Sequence, residues 1–464
     1  MKGRGPTSPD DDPPSTMITT PSQGAEPVVN PERPPDPMID ELGSEKNPLK
    51  RFLRILGPGL VTGASDDDPS GIGTYSQAGA QYGYATLWTT VLMLPMMSAI
   101  QYISAKIGLV SGRGLAGVLR EHYPRAVLYP TVLAMVIANT INAGADIGAI
   151  AAAFNLLVPI PAIVFVIPVS IGILLVQVFE SYAVIERIFK WLALVLLAYV
   201  GAALFARPDA LAVMRGTFVP TIHLTKDYIG IVVALLGTTI SPYLFFWQAS
   251  HEVEEQIRIG RRQLWQRQGA SSIELKYALW DTIAGMVFSE IVAYFIIVAT
   301  AATLFVAGKT TIGSATEAAE ALRPIAGEAA SLLLAVGLIG TGVLAVPILT
   351  GSAAYAVSET FGWPSGLDRK LTLAPQFYAV IIAATLVGMA INFLGINPIR
   401  ALVITAILNG LLAPPILVMV MLVSNSREVM GERTNGFVLN VLGWGTALVM
   451  ASAAVALIVT FFLE

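Results

Sequence analysis

From Phe52 to Leu463 the chain is a series of long apolar runs separated by short polar connections. Crossing ~30 Å of hydrocarbon at 1.5 Å per residue takes about 20 residues, and the runs are of that length. The pattern predicts eleven membrane-spanning helices, at 52–79, 84–105, 127–155, 162–179, 184–206, 228–250, 277–306, 329–357, 371–394, 398–423 and 437–463. The shortest connection, Asn155 to Pro161, is almost uncharged.

Residues 1–50 are of another kind. They hold eleven of the 29 prolines and few large apolar residues. Such a segment cannot bury enough surface to offset its ordering entropy, so a disordered cytoplasmic tail is expected there. It lacks the basic n-region and apolar h-region of a signal peptide. The expected organisation is the tail 1–50, helices 1–5 in 51–206, helices 6–10 in 207–425 and an extra helix in 426–464. The tail carries the whole net charge of −4, which leaves the apolar body neutral.

Orientation follows from the basic residues. With the N-terminus inside, 22 of the 28 Lys and Arg fall in inner segments and six in outer ones. Positive charge accumulates on the cytoplasmic side, so the N-terminus is expected in the cytoplasm and, after eleven spans, the C-terminus outside. A prokaryotic plasma (inner) membrane is the default location.

Composition narrows the function. Hydrophobic residues make up 55% and charged residues 13%, against ~25% charged in soluble proteins. Mean hydropathy is +0.68. An ordinary cytosolic enzyme, a disordered chain and a nucleic-acid binder are excluded. With no cysteine, so are disulfides, zinc–thiolate sites, iron–sulfur clusters and thiol nucleophiles. There is no His-Glu-x-x-His, Gly-x-Ser-x-Gly or Walker A motif, and no stretch outside the tail long enough for an ATPase domain. Neither an enzyme nor a resident cofactor is expected.

Two spans carry helix breakers at mid-membrane depth. The first runs Gly57-Pro58-Gly59 to Asp66-Asp67-Asp68-Pro69-Ser70-Gly71; the sixth contains Gly237-Thr238-Thr239-Ile240-Ser241-Pro242-Tyr243. Proline donates no backbone bond and glycine weakens a helix. Unwound backbone persists in a membrane only where it faces protein or a wet cavity. Breaks five helices apart point to an all-α LeuT-like fold of two inverted five-helix repeats with a site at the midplane; two ordinary proline kinks are the alternative. A carboxylate at mid-membrane costs several kcal/mol, so three in a row call for a cation, water or a proton. Ser, Thr and Asp are hard oxygen donors, suited to Mg²⁺, Ca²⁺ or Mn²⁺.

The segment Gly57-Pro58 followed by Asp68-Pro69-Ser70-Gly71 resembles the first helix of the Nramp (natural resistance-associated macrophage protein) divalent-metal transporters, which carry Asp-Pro-Gly-Asn there. Thr238 to Tyr243 stands where that family has Met-Pro-His. The metal-binding Asp is kept as Asp68, while the Asn becomes Gly71, the Met thioether Ser241 and the His Tyr243. This pattern is most similar to the Nramp-related magnesium transporters, a branch taking Mg²⁺ and Mn²⁺ without obligatory proton coupling. Loss of a thioether removes a filter against hard ions, and smaller side chains leave room for the waters that Mg²⁺ retains.

The resemblance implies Asp68 as the direct carboxylate ligand, with backbone carbonyls from Ser65 and Thr238. It implies that Ser241 and Thr239 touch the ion or its waters, with Asn409 of the tenth helix as an amide ligand. Asp67 and Asp66 are expected to concentrate cations more than to bind them. Asn139, Asn142 and Asp146 are expected to form interhelical hydrogen bonds or to line the inner path. His122, His223 and His251 are expected to be solvated, Glu252, Glu254 and Glu255 to form a solvated cytoplasmic extension or to line the inner exit, and Glu180, Glu186 and Arg187 to pair at the cytoplasmic surface. Three transport readings stay open. They are a Mg²⁺/Mn²⁺ transporter, a proton-coupled Mn²⁺/Fe²⁺ symporter and a Na⁺-coupled organic-solute symporter. The partners expected are the divalent ion as substrate and the lipid bilayer, with no nucleic acid.

Overall fold

The structure, a computed structural model, describes residues 34, 47, 50, 57–179, 197–323, 327 and 330–463, and every regular element among them is helical. The first expected span is a broken pair, α1 (Pro58–Asp66) and α2 (Pro69–Tyr82). Then follow α3 (Trp88–Ser111), α4 (Arg125–Leu157), α5 (Ala162–Phe179) and α6 (Ala198–Phe205). The sixth span is a second broken pair, α7 (Lys226–Thr239) and α8 (Pro242–Arg258). The chain continues through α9 (Ser272–Thr300), α10 (Ala330–Phe361), α11 (Pro375–Ile391), α12 (Pro398–Asn425) and α13 (Phe437–Leu463).

Among the described residues, nine helices are long and apolar enough to cross a membrane, the sixth pair counting as one. Each corresponds to an expected span. The broken α1–α2 pair occupies the first expected span, and α6 the end of the fifth. The rest of the fifth, with Glu180, Glu186 and Arg187, lies outside the described residues, as does nearly all of the tail. Of the tail, Pro34 offers its carbonyl to Arg261 at 3.0 and 3.1 Å.

Local chemistry sets the breaks. At the first, Asp67 ends α1 and Asp68 caps α2, its side chain accepting from the Gly71 N–H, with Pro69 opening the helix. Proline suits the first helical position because its missing N–H would have no partner there. The second break shares the opening proline, with Ser241 before Pro242, but the Ser241 side chain does not cap α8.

The broken helices are the centre of the molecule. The most apolar window of the α7–α8 span is 83% buried, against 22% for α5, whose exposed Ile163, Val164, Ile167 and Ile171 form a lipid-facing stripe. The α1 half-helix packs on α9, α7 packs on α12, and α4 packs on α10, α11 and α12. The α7–α12 contact is made by bare backbone: a Cβ on Gly237 would lie 2.1 Å from the Ala406 carbonyl oxygen.

Two expectations are corrected. The sixth span was expected to leave the membrane near residue 250, yet α8 continues to Arg258 and is covered by protein. His251 is buried and stacks on Trp247 at 5.3 Å. Glu252 and Glu254 are also buried rather than solvated. Glu252 accepts from the Gln248 amide at 2.9 Å. Glu254 accepts from the Leu367 N–H at 2.8 Å and from the Tyr355 hydroxyl. The loop after α10 folds back over α8, and no hydropathy pattern on α8 alone announces that cover. Glu255 is partly exposed and pairs with Arg258 at 2.7 Å, and His122 and His223 are exposed.

Candidate metal centre

Every residue of the two breaks from Ser65 to Gly71 and from Thr238 to Pro242 is buried. Asp68 is held at both oxygens. Oδ1 accepts from the Gly71 N–H at 2.7 Å, and Oδ2 accepts from the Asn142 amide of α4 at 3.2 Å. Asp146, one turn further along α4, lies close enough to Asp68 for the two charges to repel. Neither Asp146 oxygen meets a hydrogen-bond donor at good geometry among the described residues.

The two breaks face each other. The Ser70 and Thr238 hydroxyls are 3.2 Å apart, and the Tyr75 and Thr239 hydroxyls are 2.9 Å apart. Tyr243 reaches back across the gap and donates to the Ser65 carbonyl at 3.3 Å. Ser241 donates to the Gly237 and Thr238 carbonyls at 2.8 and 2.6 Å. The carbonyls of Ser65 and Thr238 thus each accept from a hydroxyl, that of Tyr243 and that of Ser241. Gly71 brings no side chain; its N–H serves Asp68.

Asn409 is buried on α12, one residue before Gly410, whose backbone packs on Gly237 and Val233. Its amide nitrogen has no hydrogen-bond partner among the described residues. Rotating a carboxamide by half a turn exchanges its nitrogen for its oxygen, a hard donor.

The aspartate triplet does not act as one unit. Asp68 turns to α4. Asp66 and Asp67 turn to α9, where the Ser289 hydroxyl stands 2.8 Å from Asp66 Oδ2 and 3.3 Å from Asp67 Oδ1. Glu290, beside Ser289, is buried and close enough to both for their charges to interact. Among the described residues no three His, Asp or Glu side chains are arranged to hold a metal ion together. A cation between the breaks would meet one carboxylate, carbonyls, hydroxyls and amides.

Cavities flank this centre at both ends of the broken helices. One, of about 340 Å³, is lined by Gln77, Gln81, Asp227, Asn397 and Arg400. The other, of about 250 Å³, is lined by Gly57, Pro58, Glu252, Glu255 and Asp281. Asp68 lines neither and is itself buried.

Residues 59–460 match the family model for natural resistance-associated macrophage protein-like (Nramp) sequences. The chain belongs to the Nramp family. Solved structures agree on the architecture of this Nramp-family chain. A manganese transporter of Eremococcus coleocola, solved in complex with an aromatic bis-isothiourea substituted compound, superposes with a TM-score of 0.71 at 16% identity, over 90% of each chain. A point mutant of that transporter gives 0.69 at 19% identity, again over 90% of each chain. Mhp1, a nucleobase-cation-symport-1 family transporter, gives 0.53 at 16% identity, over 87% of this chain and 92% of its own. At these identities the likeness establishes the fold, a LeuT-like polytopic helical membrane protein.

Asn142 makes an interhelical hydrogen bond of the kind expected of it, with Asp68 as the partner that sequence alone did not name. Asn139 also makes one, donating to the Leu349 carbonyl at 3.1 Å. Ser289, Glu290 and Asp281 on α9 were missed altogether. Polar residues inside a run as apolar as 272–305 were the signal available.

Proposed function

We propose that the protein is a secondary transporter that carries divalent metal ions, Mg²⁺ with Mn²⁺ also accepted, across the membrane by alternating access without obligatory proton coupling. The observation that carries this reading is the all-oxygen character of the facing breaks. Asp68 is fixed between Gly71 and Asn142, the Thr238 and Thr239 hydroxyls of the second break meet Ser70 and Tyr75 of the first span, and no thioether or imidazole stands in either break. Oxygen donors favour hard cations. A single carboxylate with neutral donors suits Mg²⁺, which is bound through one or two carboxylates and keeps several waters. Without a histidine at the second break, the centre has no side chain that ordinarily exchanges a proton near neutral pH.

In this reading the unwound segments hold the ion while one helix bundle rocks against the other. The protein sits in the plasma membrane with its N-terminus in the cytoplasm, and ions pass between the two cavities that flank Asp68. The test is Mg²⁺ and Mn²⁺ flux into proteoliposomes with a pH reporter in the lumen. Flux of both ions without stoichiometric acidification supports the proposal; exclusion of Mg²⁺ at millimolar excess over Mn²⁺ overturns it.

A proton-coupled Mn²⁺/Fe²⁺ symporter is the second reading. The observation favouring it is the set of buried acids, Asp146 beside Asp68 and Glu290 beside Asp66 and Asp67, together with the likeness to the manganese transporter of E. coleocola. Lumenal acidification that tracks Mn²⁺ uptake one for one selects it.

A further inference from the structure

The α1 half-helix is gripped along its length by one face of α9. Asp281, Gly285 and Ser289 are spaced four residues apart, which places them on one side of that helix over about two turns. At the start of α1, Asp281 Oδ1 accepts the Gly57 and Leu60 N–H groups at 2.8 and 3.1 Å, and Oδ2 accepts the Gly59 N–H at 2.6 Å. The first turn of a helix has donors with no partner inside the helix. Pro58 lacks an N–H, so Asp281 alone meets all of them, and its charge faces the positive end of the half-helix dipole.

In the middle the two backbones touch. A Cβ on Gly63 would lie 2.2 Å from the Gly285 carbonyl oxygen. At the far end Ser289 reaches Asp66 and Asp67. The half-helix has nine residues, and so is a rod of about 13 Å. Asp281 fixes one end, and Asp68 follows directly from the other. Asp281 and Pro58 also line the 250 Å³ cavity, so α1 runs from the edge of that cavity to the break that carries Asp68.

We propose that Asp281 is a positioning residue for the metal centre. It holds α1 on α9, and so keeps the 250 Å³ cavity shut off from Asp68; its release from the α1 N-terminus lets the half-helix leave α9 and joins the two. The transport consequence rests on the function proposed above, but the anchoring itself does not.

The chain has no cysteine, so one introduced thiol is an unambiguous reporter. Val61 lies within α1 and is 1% exposed. In Val61→Cys protein reconstituted in liposomes, an impermeant maleimide is applied from the side bearing the N-terminus, and Mn²⁺ uptake is measured in parallel. Adding Asp281→Ala is expected to raise the modification rate at least tenfold and the apparent KM for Mn²⁺ several-fold. Asp281→Glu, which keeps a carboxylate, is expected to restore both in large part. Should Asp281→Ala not fold, Asp281→Asn gives the same comparison with a smaller rise. A modification rate within twofold of the parent in folded Asp281→Ala or Asp281→Asn overturns the proposal. A raised rate in protein that moves no metal leaves the anchoring intact and counts against the transport reading alone.

Discussion

The Asn142 side-chain amide donates to Asp68 Oδ2 at 3.2 Å, linking the third span to the first break. A carboxylate held on one side by a backbone N–H and on the other by an amide keeps its remaining lone pairs in a fixed direction. A hydrogen bond to a charged group contributes ~1.5–3 kcal/mol, and ~1.4 kcal/mol is a factor of ten in affinity. Asn142→Leu is therefore expected to weaken Mg²⁺ and Mn²⁺ binding at least tenfold with the fold intact. Isothermal titration of the purified variant against both ions checks this.

Ser241 stands at the second break with its hydroxyl on the Gly237 and Thr238 carbonyls. Replacing it by methionine frees those carbonyls and supplies a soft donor. Thioethers favour softer ions over Mg²⁺. Ser241→Met is expected to shift the Mn²⁺-over-Mg²⁺ preference about tenfold toward Mn²⁺, read as the Mg²⁺ concentration needed to halve Mn²⁺ uptake.

Gly63 and Gly285 bring α1 and α9 into backbone contact, and a Cβ at Gly63 has no room. Overpacking of this kind costs ~1–3 kcal/mol or more. Gly63→Val is expected to lower the thermal midpoint of the detergent-purified protein by several degrees and to abolish flux. Thr62→Ser, one residue away, keeps the hydroxyl that donates to Gln248 at 2.5 Å and is expected to leave both nearly unchanged.

Much of this architecture was legible in the chain, because a bilayer demands long apolar runs and tolerates breaks only at protected places. The broken pairs at Asp67–Asp68 and Ile240–Ser241 fall where Asp-Pro and Ser-Pro announced them. The extent of α8 was not legible. Glu252 and Glu254 read as a solvated extension because charged residues at a span end ordinarily are; Glu254 is covered by the loop around Leu367, more than a hundred residues away, and Glu252 faces α9 across the 250 Å³ cavity. The split of the aspartate triplet was equally hidden. Consecutive residues at a helix break point in different directions, and which neighbour each meets depends on how α4 and α9 pack. Asp281 was invisible for a further reason: nothing local says that a carboxylate on one span caps the half-helix of another.

Glu254 offers a test of the corrected region. It accepts from the Leu367 N–H at 2.8 Å and from the buried Tyr355 hydroxyl. Removing it leaves the buried Tyr355 hydroxyl without its acceptor, at ~1–3 kcal/mol, and leaves the Leu367 N–H only the Tyr355 oxygen at 3.2 Å. Glu254→Ala is expected to lower the thermal midpoint by several degrees and to make the chain near Leu367 more susceptible to protease, whereas Glu255→Ala, at a partly exposed pair with Arg258, is expected to change either little.

The direct test of the metal centre is Asp68→Ala. In purified protein titrated with Mg²⁺, and in proteoliposomes loaded with a Mg²⁺ indicator, the parent is expected to bind and pass the ion and the folded variant to do neither. Undiminished Mg²⁺ binding and flux in Asp68→Ala would contradict the account.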